Sequence, residues 1–292
     1  MLDRHVGEKI KKYGSDYSFK KLDINFLKNF ELVSSNLEGA VTDDGAHYSP
    51  VYTYDFAFSP EKMDNLKKYG FSFFNLANNH ISDQGERGVE ETRKNLDHLD
   101  FSFSGCPDGQ VGGCSGTVVR AGDYKVGMIG LSMVYKDFSL KKAIKEIKKF
   151  KDSTDLVIVN IHWGTEYRHQ FSKHQQEVAH QLVEAGADAI IGHHPHVVEG
   201  MEIYQGKPIF YSLGNFIFDQ YFSEDTQEGL AIGIVFQDKK PEIYFYPLKS
   251  KNSQPELMAG SNKINFLKKF LSWSEVDDYG KQILAGEMIM EK

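Results

Sequence analysis

Four apolar runs in this chain break off into Asn, His or Glu, and helical spacing follows or precedes each of them. They are ELVSSNLEG at 31–39, FSFFNLANNH at 71–80, DLVIVNIHWG at 155–164 and DAIIGHH at 188–194. Runs of this length between helical stretches read as strands, and strand–helix alternation limits the chain to an α/β fold. The helical stretches are SFKKLDINFLKNF (18–30), SPEKMDNLKKYG (59–70), GERGVEETRKNLDHL (85–99), LKKAIKEIKKF (140–150) and KHQQEVAHQLVEAGA (173–187). The segment at 59–70 carries a Ser cap, a Pro in its first turn and a closing Gly. A hairpin is expected at 116–132, strand pairs at 197–218 and 229–248, and a helical tail at 261–280. No repeat or Pro/Gly/Ser linker divides the 292 residues, so one domain is expected.

Strand ends in α/β folds converge on one edge of the sheet, where ligands bind. The polar residues at these ends are therefore the candidate site: Glu38, Asn78, Asn79, His80, His162 and the histidines of GHHPH, His193, His194 and His196. Imidazole, carboxylate and amide oxygen together suit a divalent transition metal. His194 and His196 have the period-two spacing that puts two rings on one side of an extended segment. His5, His47, His98, His169, His174 and His180 lack this placement and read as surface or packing residues. The lysines of 140–150 read as the solvated face of an amphipathic helix.

Composition excludes several classes. The net charge is −7, which argues against general nucleic-acid binding. No apolar stretch reaches about 18 residues, so no membrane span is expected, and MLDRHVGEKIKK has no apolar core of a secretion signal. Cys106 and Cys114 are the only cysteines, too few for a disulfide scaffold or a Cys-built zinc site. Nothing in the sequence requires them to pair, and free cysteines usually behave as small buried apolar residues.

NLEG, NLANNHISDQGERGVEET, FSG, IHWGTEY and GADAIIGHHPHVVEGMEIYQGKPIFYSLGNF, in this order, resemble the CapA family of poly-γ-glutamate capsule-synthesis proteins, relatives of the calcineurin-like metallophosphoesterases. The resemblance covers residues 1–248, with 249–292 read as a C-terminal helical extension. It implies a metallophosphoesterase-like sandwich of two mixed β-sheets flanked by helices. It also implies two divalent ions (Mn, Zn or Fe) held by Glu38, Asn79, His162, His194 and His196, with His80 as the catalytic histidine. Asn36, Asn78 and His193 would support those ligands.

The implied function is polymer biosynthesis or export with metal-dependent phosphoesterase chemistry. Its alternatives are a non-enzymatic accessory subunit of a membrane polymer synthase and a soluble phosphatase of a small molecule. Implied partners are membrane synthase subunits and an anionic polymer or phosphoester substrate.

One departure stands out. In the family a first strand ends in Gly-Asp, a metal ligand, directly before a stretch resembling MLDRHV. The first strand and that carboxylate are thus expected to be missing here. Asp3 matches the residues that follow the ligand. The chain is expected to bind metal more weakly and fold less well than one extended upstream. An upstream anchor or signal is compatible with this reading, so location stays open.

Overall fold

A computed structural model describes residues 1–237, 240–276 and 278–290. The chain opens with α1 (Arg4–Tyr13) and one helical turn, α2 (Asn25–Lys28). It continues through β1 (Val33–Asn36), β2 (Ala40–Val41), β3 (Ala57–Phe58), α3 (Pro60–Lys67), β4 (Phe71–Asn75), α4 (Gly85–His98) and β5 (Ser102–Ser104). The middle holds β6 (Gly116–Ala121), β7 (Tyr124–Ser132), α5 (Leu140–Lys151), β8 (Leu156–His162), α6 (Lys173–Glu184) and β9 (Ala189–His193). The last third holds β10 (Met201–Tyr204), β11 (Lys207–Phe210), β12 (Glu228–Gln237), β13 (Lys240–Lys251), β14 (Gln254–Leu257), α7 (Gly260–Ser272), α8 (Gly280–Ala285) and β15 (Glu287–Ile289).

These elements make an α/β sandwich of sheets flanked by helices. The largest sheet has the order β10-β11-β9-β8-β7-β6, parallel across β11, β9, β8 and β7 and antiparallel at both edges. Alternation along β8 sorts its side chains by face. Val157, Val159 and Ile161 pack with Ala143 and Ile147 of α5 and Val178, Ala179 and Leu182 of α6. Ile158 faces the other way, toward Phe73 of β4. His162 shares the parity of Ile158 and so belongs to the inner face.

Opposite this sheet lie two smaller ones: the parallel β1-β4-β5, and the antiparallel β12-β13-β14 with β15 also on β13. Phe19, Met63 and Leu96 cover the first of them from outside, and Phe266, Leu267 and Phe270 of α7 pack with Ile243 and Phe245 of the second. β1 pairs with β4, and β12 with β13. Residues of β1 and β12 line one cavity of about 690 Å³, with Phe71, Met128 and Ile158 among its walls.

Two expectations change. The stretch 18–30 forms only a 3₁₀ turn at Tyr17–Phe19 and the single turn α2. Asp23 explains the break: its Oδ1 accepts from Asn25 N at 2.9 Å, a local turn that competes with the helix. In the tail, the consecutive helices α7 and α8 are flanked by β14 and β15, which both pair with β13. Residues 249–292 thus supply strands as well as helices.

Candidate functional site

Register places the first two histidines. His162 of β8 stands opposite His193 of β9, and Trp163 N donates to His193 O at 3.0 Å just beyond. After His193 the chain leaves the extended conformation. His194 has φ +102° and His196 has φ +59°, both left-handed, so the expected extended His-x-His segment is a tight turn. The turn still sends His193, His194 and His196 to the cavity shared by β1 and β12, together with Glu38.

At the centre of the site three donor atoms converge. His162 Nε2 lies 2.7 Å from Asn79 Oδ1 and 3.1 Å from His194 Nδ1. His162 is fully buried and its Nδ1 has no hydrogen-bond partner. Burial holds the His162 imidazole well below the ordinary histidine range, and the neighbouring His194 and His193 add to the effect. Burial also lowers His194, and it lowers His193 to about 4. All three are therefore neutral rings at pH 7, the form in which imidazole ligates a metal. His196 Nδ1 is 3.0 Å from Asn215 Oδ1.

A second wall is built from carboxylate and amides. Glu38 is buried; its Oε1 accepts from Asn36 Nδ2 at 2.9 Å, and its Oε2 has no partner. Burial alone would raise this carboxyl, yet His196, His80 and His194 hold it below the ordinary range. Asn36 Oδ1 accepts from Asn75 Nδ2 at 3.0 Å and from Asn78 Nδ2 at 3.4 Å. Asn75 fits against β7 only because residue 130 is glycine, since a β-carbon there would collide with its Oδ1. Asn78 shapes the turn: its Nδ2 donates to Leu37 O at 2.8 Å and its Oδ1 accepts from His80 N at 3.0 Å.

His80 lies against Phe56, and its Nδ1 is 2.9 Å from Asp83 Oδ2. Burial lowers its pKa, but the bond to Asp83 and the charge of Glu38 outweigh this, and the net shift is upward. His80 is thus the one ring of the group biased toward the cation. Asp3 is engaged elsewhere: its Oδ2 accepts from Ala57 N at 2.9 Å and lies 3.0 Å from His47 Nε2.

Among the described residues, no three His, Cys, Asp or Glu side chains close around one point. The convergent trio includes an amide. Ligand atoms on an ion with bonds of about 2.1 Å sit roughly 3 to 3.4 Å apart, and Asn79 Oδ1 and His194 Nδ1 lie 2.7 and 3.1 Å from His162 Nε2. The unpartnered Oε2 of Glu38 adds an anionic oxygen to a donor set suited to a borderline transition metal.

Asn75, Asp83, Asn160 and Asn215 belong to the site and were not singled out in the sequence. Asn160 Oδ1 is 3.4 Å from His193 Nε2. Asp83 has a sequence signal, a carboxylate three residues after His80. Asn75 reads only as part of an apolar strand. The structure also joins Cys106 to Cys114 in a disulfide with a Cα–Cα distance of 5.1 Å.

Comparison with known proteins identifies a family and several relatives. A sequence profile described as bacterial capsule synthesis protein PGA_cap matches residues 1–220, somewhat short of the 1–248 expected. The capsule biosynthesis protein CapA of Bacillus anthracis is 31% identical over 100% of this chain and 77% of its own length. The PGA biosynthesis protein CapA of Bacillus subtilis (strain 168) is 31% identical over 79% of this chain, which spans 64% of that relative. A probable polyglutamine synthesis accessory protein of Mycobacterium tuberculosis (strain ATCC 25618 / H37Rv) is 26% identical, covering 63% of this chain and 54% of its own. Among solved structures, a hypothetical protein from Thermus thermophilus aligns at a TM-score of 0.48 and 14% identity, over 80% of this chain and 87% of its own.

Proposed function

The chain belongs to the bacterial capsule synthesis protein family, and we propose that it serves assembly or export of poly-γ-glutamate or a related surface polymer through a divalent-metal site of phosphoesterase type. The observation that carries this reading is the approach of Asn79 Oδ1, at 2.7 Å, and His194 Nδ1, at 3.1 Å, to His162 Nε2. Asn79, His162, His194 and His196 would hold metal as neutral donors, and Glu38 as the anionic one. When bound, such ions polarise a phosphoryl oxygen and supply a hydroxide at neutral pH.

The chain's own groups have separable tasks. Asp83 accepts from Nδ1 of His80 and fixes the ring, leaving Nε2 to carry the second proton. The upward shift of His80 keeps that proton available near neutrality, which suits donation to a leaving oxygen. Asn36 holds Glu38 Oε1, so the unpartnered Oε2 is the atom left for a ligand. Burial of His162, His193 and His194 keeps those three rings unprotonated.

A second reading is an accessory subunit of a polymer synthase, in line with the similarity to the probable polyglutamine synthesis accessory protein of Mycobacterium tuberculosis. The disulfide favours work in an oxidising setting, outside a reducing cytosol. No described helix is long and apolar enough to cross a membrane. The test is elemental analysis followed by hydrolysis of a chromogenic phosphodiester with added manganese. About two transition-metal ions per chain and activity abolished by His80→Ala support the enzyme. A folded chain that is inactive with metal bound, yet co-purifies with synthase subunits as His80→Ala, leaves the accessory role.

A further inference from the structure

Glu199 lies three residues beyond His196, and the proposed chemistry makes no use of it. It is 1% exposed, its Oε2 accepts from Gln175 Nε2 at 2.9 Å, and its Oε1 has no partner. Burial pushes its carboxyl up to about 8, so it is mostly neutral at pH 7.

Gln175 is equally enclosed, at 3% exposed, and it is shared between two tasks. Its Oε1 accepts from Ser172 N at 2.8 Å and from Ser172 Oγ at 3.0 Å, closing the capping box at the start of α6. Its Nε2 turns toward Glu199 past Gly164, whose φ is +86°. A β-carbon on Gly164 would come within 2.8 Å of Gln175 Nε2 and 3.3 Å of Pro195 Cγ. The amide of Gln175 thus packs against Gly164 in the turn after His162, and Gly164 in turn faces Pro195 of the His194–Pro195–His196 turn. The two turns are joined directly by Trp163 N to His193 O at 3.0 Å and Tyr167 N to Pro195 O at 2.8 Å.

We propose that Glu199 is a positioning residue of this site: by holding the Gln175 amide against Gly164, it steadies the turn after His162, and through the Trp163–His193 and Tyr167–Pro195 bonds it fixes the turn of His194 and His196 relative to it. Its effect on metal rests on the reading of the site as a metal centre; its effect on the two turns does not. Partners one shell removed from a ligand typically change metal affinity about 10–100-fold.

The experiment uses the full chain as Glu199→Leu, Glu199→Gln and Gln175→Met. Amide hydrogen exchange is read first, without metal. The Trp163 and Tyr167 amides are expected to exchange roughly tenfold faster or more in Glu199→Leu and Gln175→Met, with β7 and β8 unchanged. Glu199→Gln, of the same shape and neutral, is expected to restore wild-type protection. Manganese titration of the same proteins is expected to show affinity about tenfold lower in Glu199→Leu and restored in Glu199→Gln.

Unchanged exchange at Trp163 and Tyr167 overturns the proposal, and so does protection lost evenly over the whole chain. If Glu199→Leu does not fold, Gln175→Met and Glu199→Gln decide by the same two amides. A wild-type chain that takes up no manganese ends the metal reading, and exchange alone then judges Glu199.

Discussion

His162 and His193 stand opposite each other because two parallel strands are in register. Asn36 and Asn75 are also register partners, in the parallel pair β1–β4, but there the side chains of Asn36, Asn75 and Asn78 bond to one another as well. The imidazole wall is thus carried by backbone: six paired strands beneath it and Trp163 N bonded to His193 O beyond it. The amide wall is carried also by side chains at the ends of a three-stranded sheet, with Glu38 hanging from Asn36. A histidine removed from the first wall is expected to do little harm to the frame. In the second, the side chains around Glu38 add a bonded network of their own to the strand register.

The largest expected effect tests the first wall. His194→Ala is expected to cut manganese affinity about a thousandfold, roughly 4 kcal/mol, while leaving the melting temperature within a degree or two of wild type. Calorimetric titration and thermal melting check both halves. A large fall in melting temperature breaks the comparison.

Asn36→Leu tests the second wall. It strands Glu38 Oε1 and takes one of two acceptors from the Nδ2 groups of Asn75 and Asn78, which keep Ala77 O and Leu37 O, and a loss of about 2 kcal/mol in urea unfolding is expected. Weaker metal binding should accompany it. A stable Asn36→Leu protein would mean that this wall too is held by backbone.

The disulfide touches the second wall alone. Tyr135 packs where a β-carbon on Gly109 would sit, inside the 106–114 loop, and its hydroxyl donates to Asn78 O at 3.2 Å. Replacing both cysteines by Ser is expected to cost about 2.5 kcal/mol from loop closure. Exchange should quicken around Asn78 and stay as it was at His193.

The smallest effect sharpens the comparison within one side chain. Asp83→Asn removes the charge that raises His80, so the His80 titration followed by NMR is expected to move to lower pH. A raised folded pKa contributes stability below the unfolded value and loses it as pH rises through the folded value. The mutant should therefore lose that contribution on the acidic side and match wild type at higher pH. Turnover at neutral pH is expected to fall about tenfold, about 1.4 kcal/mol.

The two walls also differ in how far the sequence discloses them. The polar breaks at 38, 78–80, 162 and 193–196 are legible as strand ends in the sequence, but they come from two sheets that face each other and not from the one sheet edge expected. The α/β class follows from the same runs. Asn75 was not legible, because a polar residue at the last position of FSFFN looks like a strand end and its partner lies 39 residues away. Asn215 and Asn160 escaped for the same reason, since each acts on a histidine that only the fold brings near. The extended geometry expected for His194 and His196 failed because spacing counts residues and says nothing of φ. The 18–30 helix failed on a local competitor, Asp23, which propensity summed over a window does not weigh.

The left-handed backbone at His194 and His196 has an evolutionary consequence. A non-glycine residue in that region costs on the order of 1–3 kcal/mol where the surroundings enforce it. Glycine would relieve the cost at either position, so the chain carries two histidines where selection for stability alone would discard them. Lineages that keep the polymer but replace this step by another protein should drift toward glycine at 194 and 196 first, before the strands beneath them change.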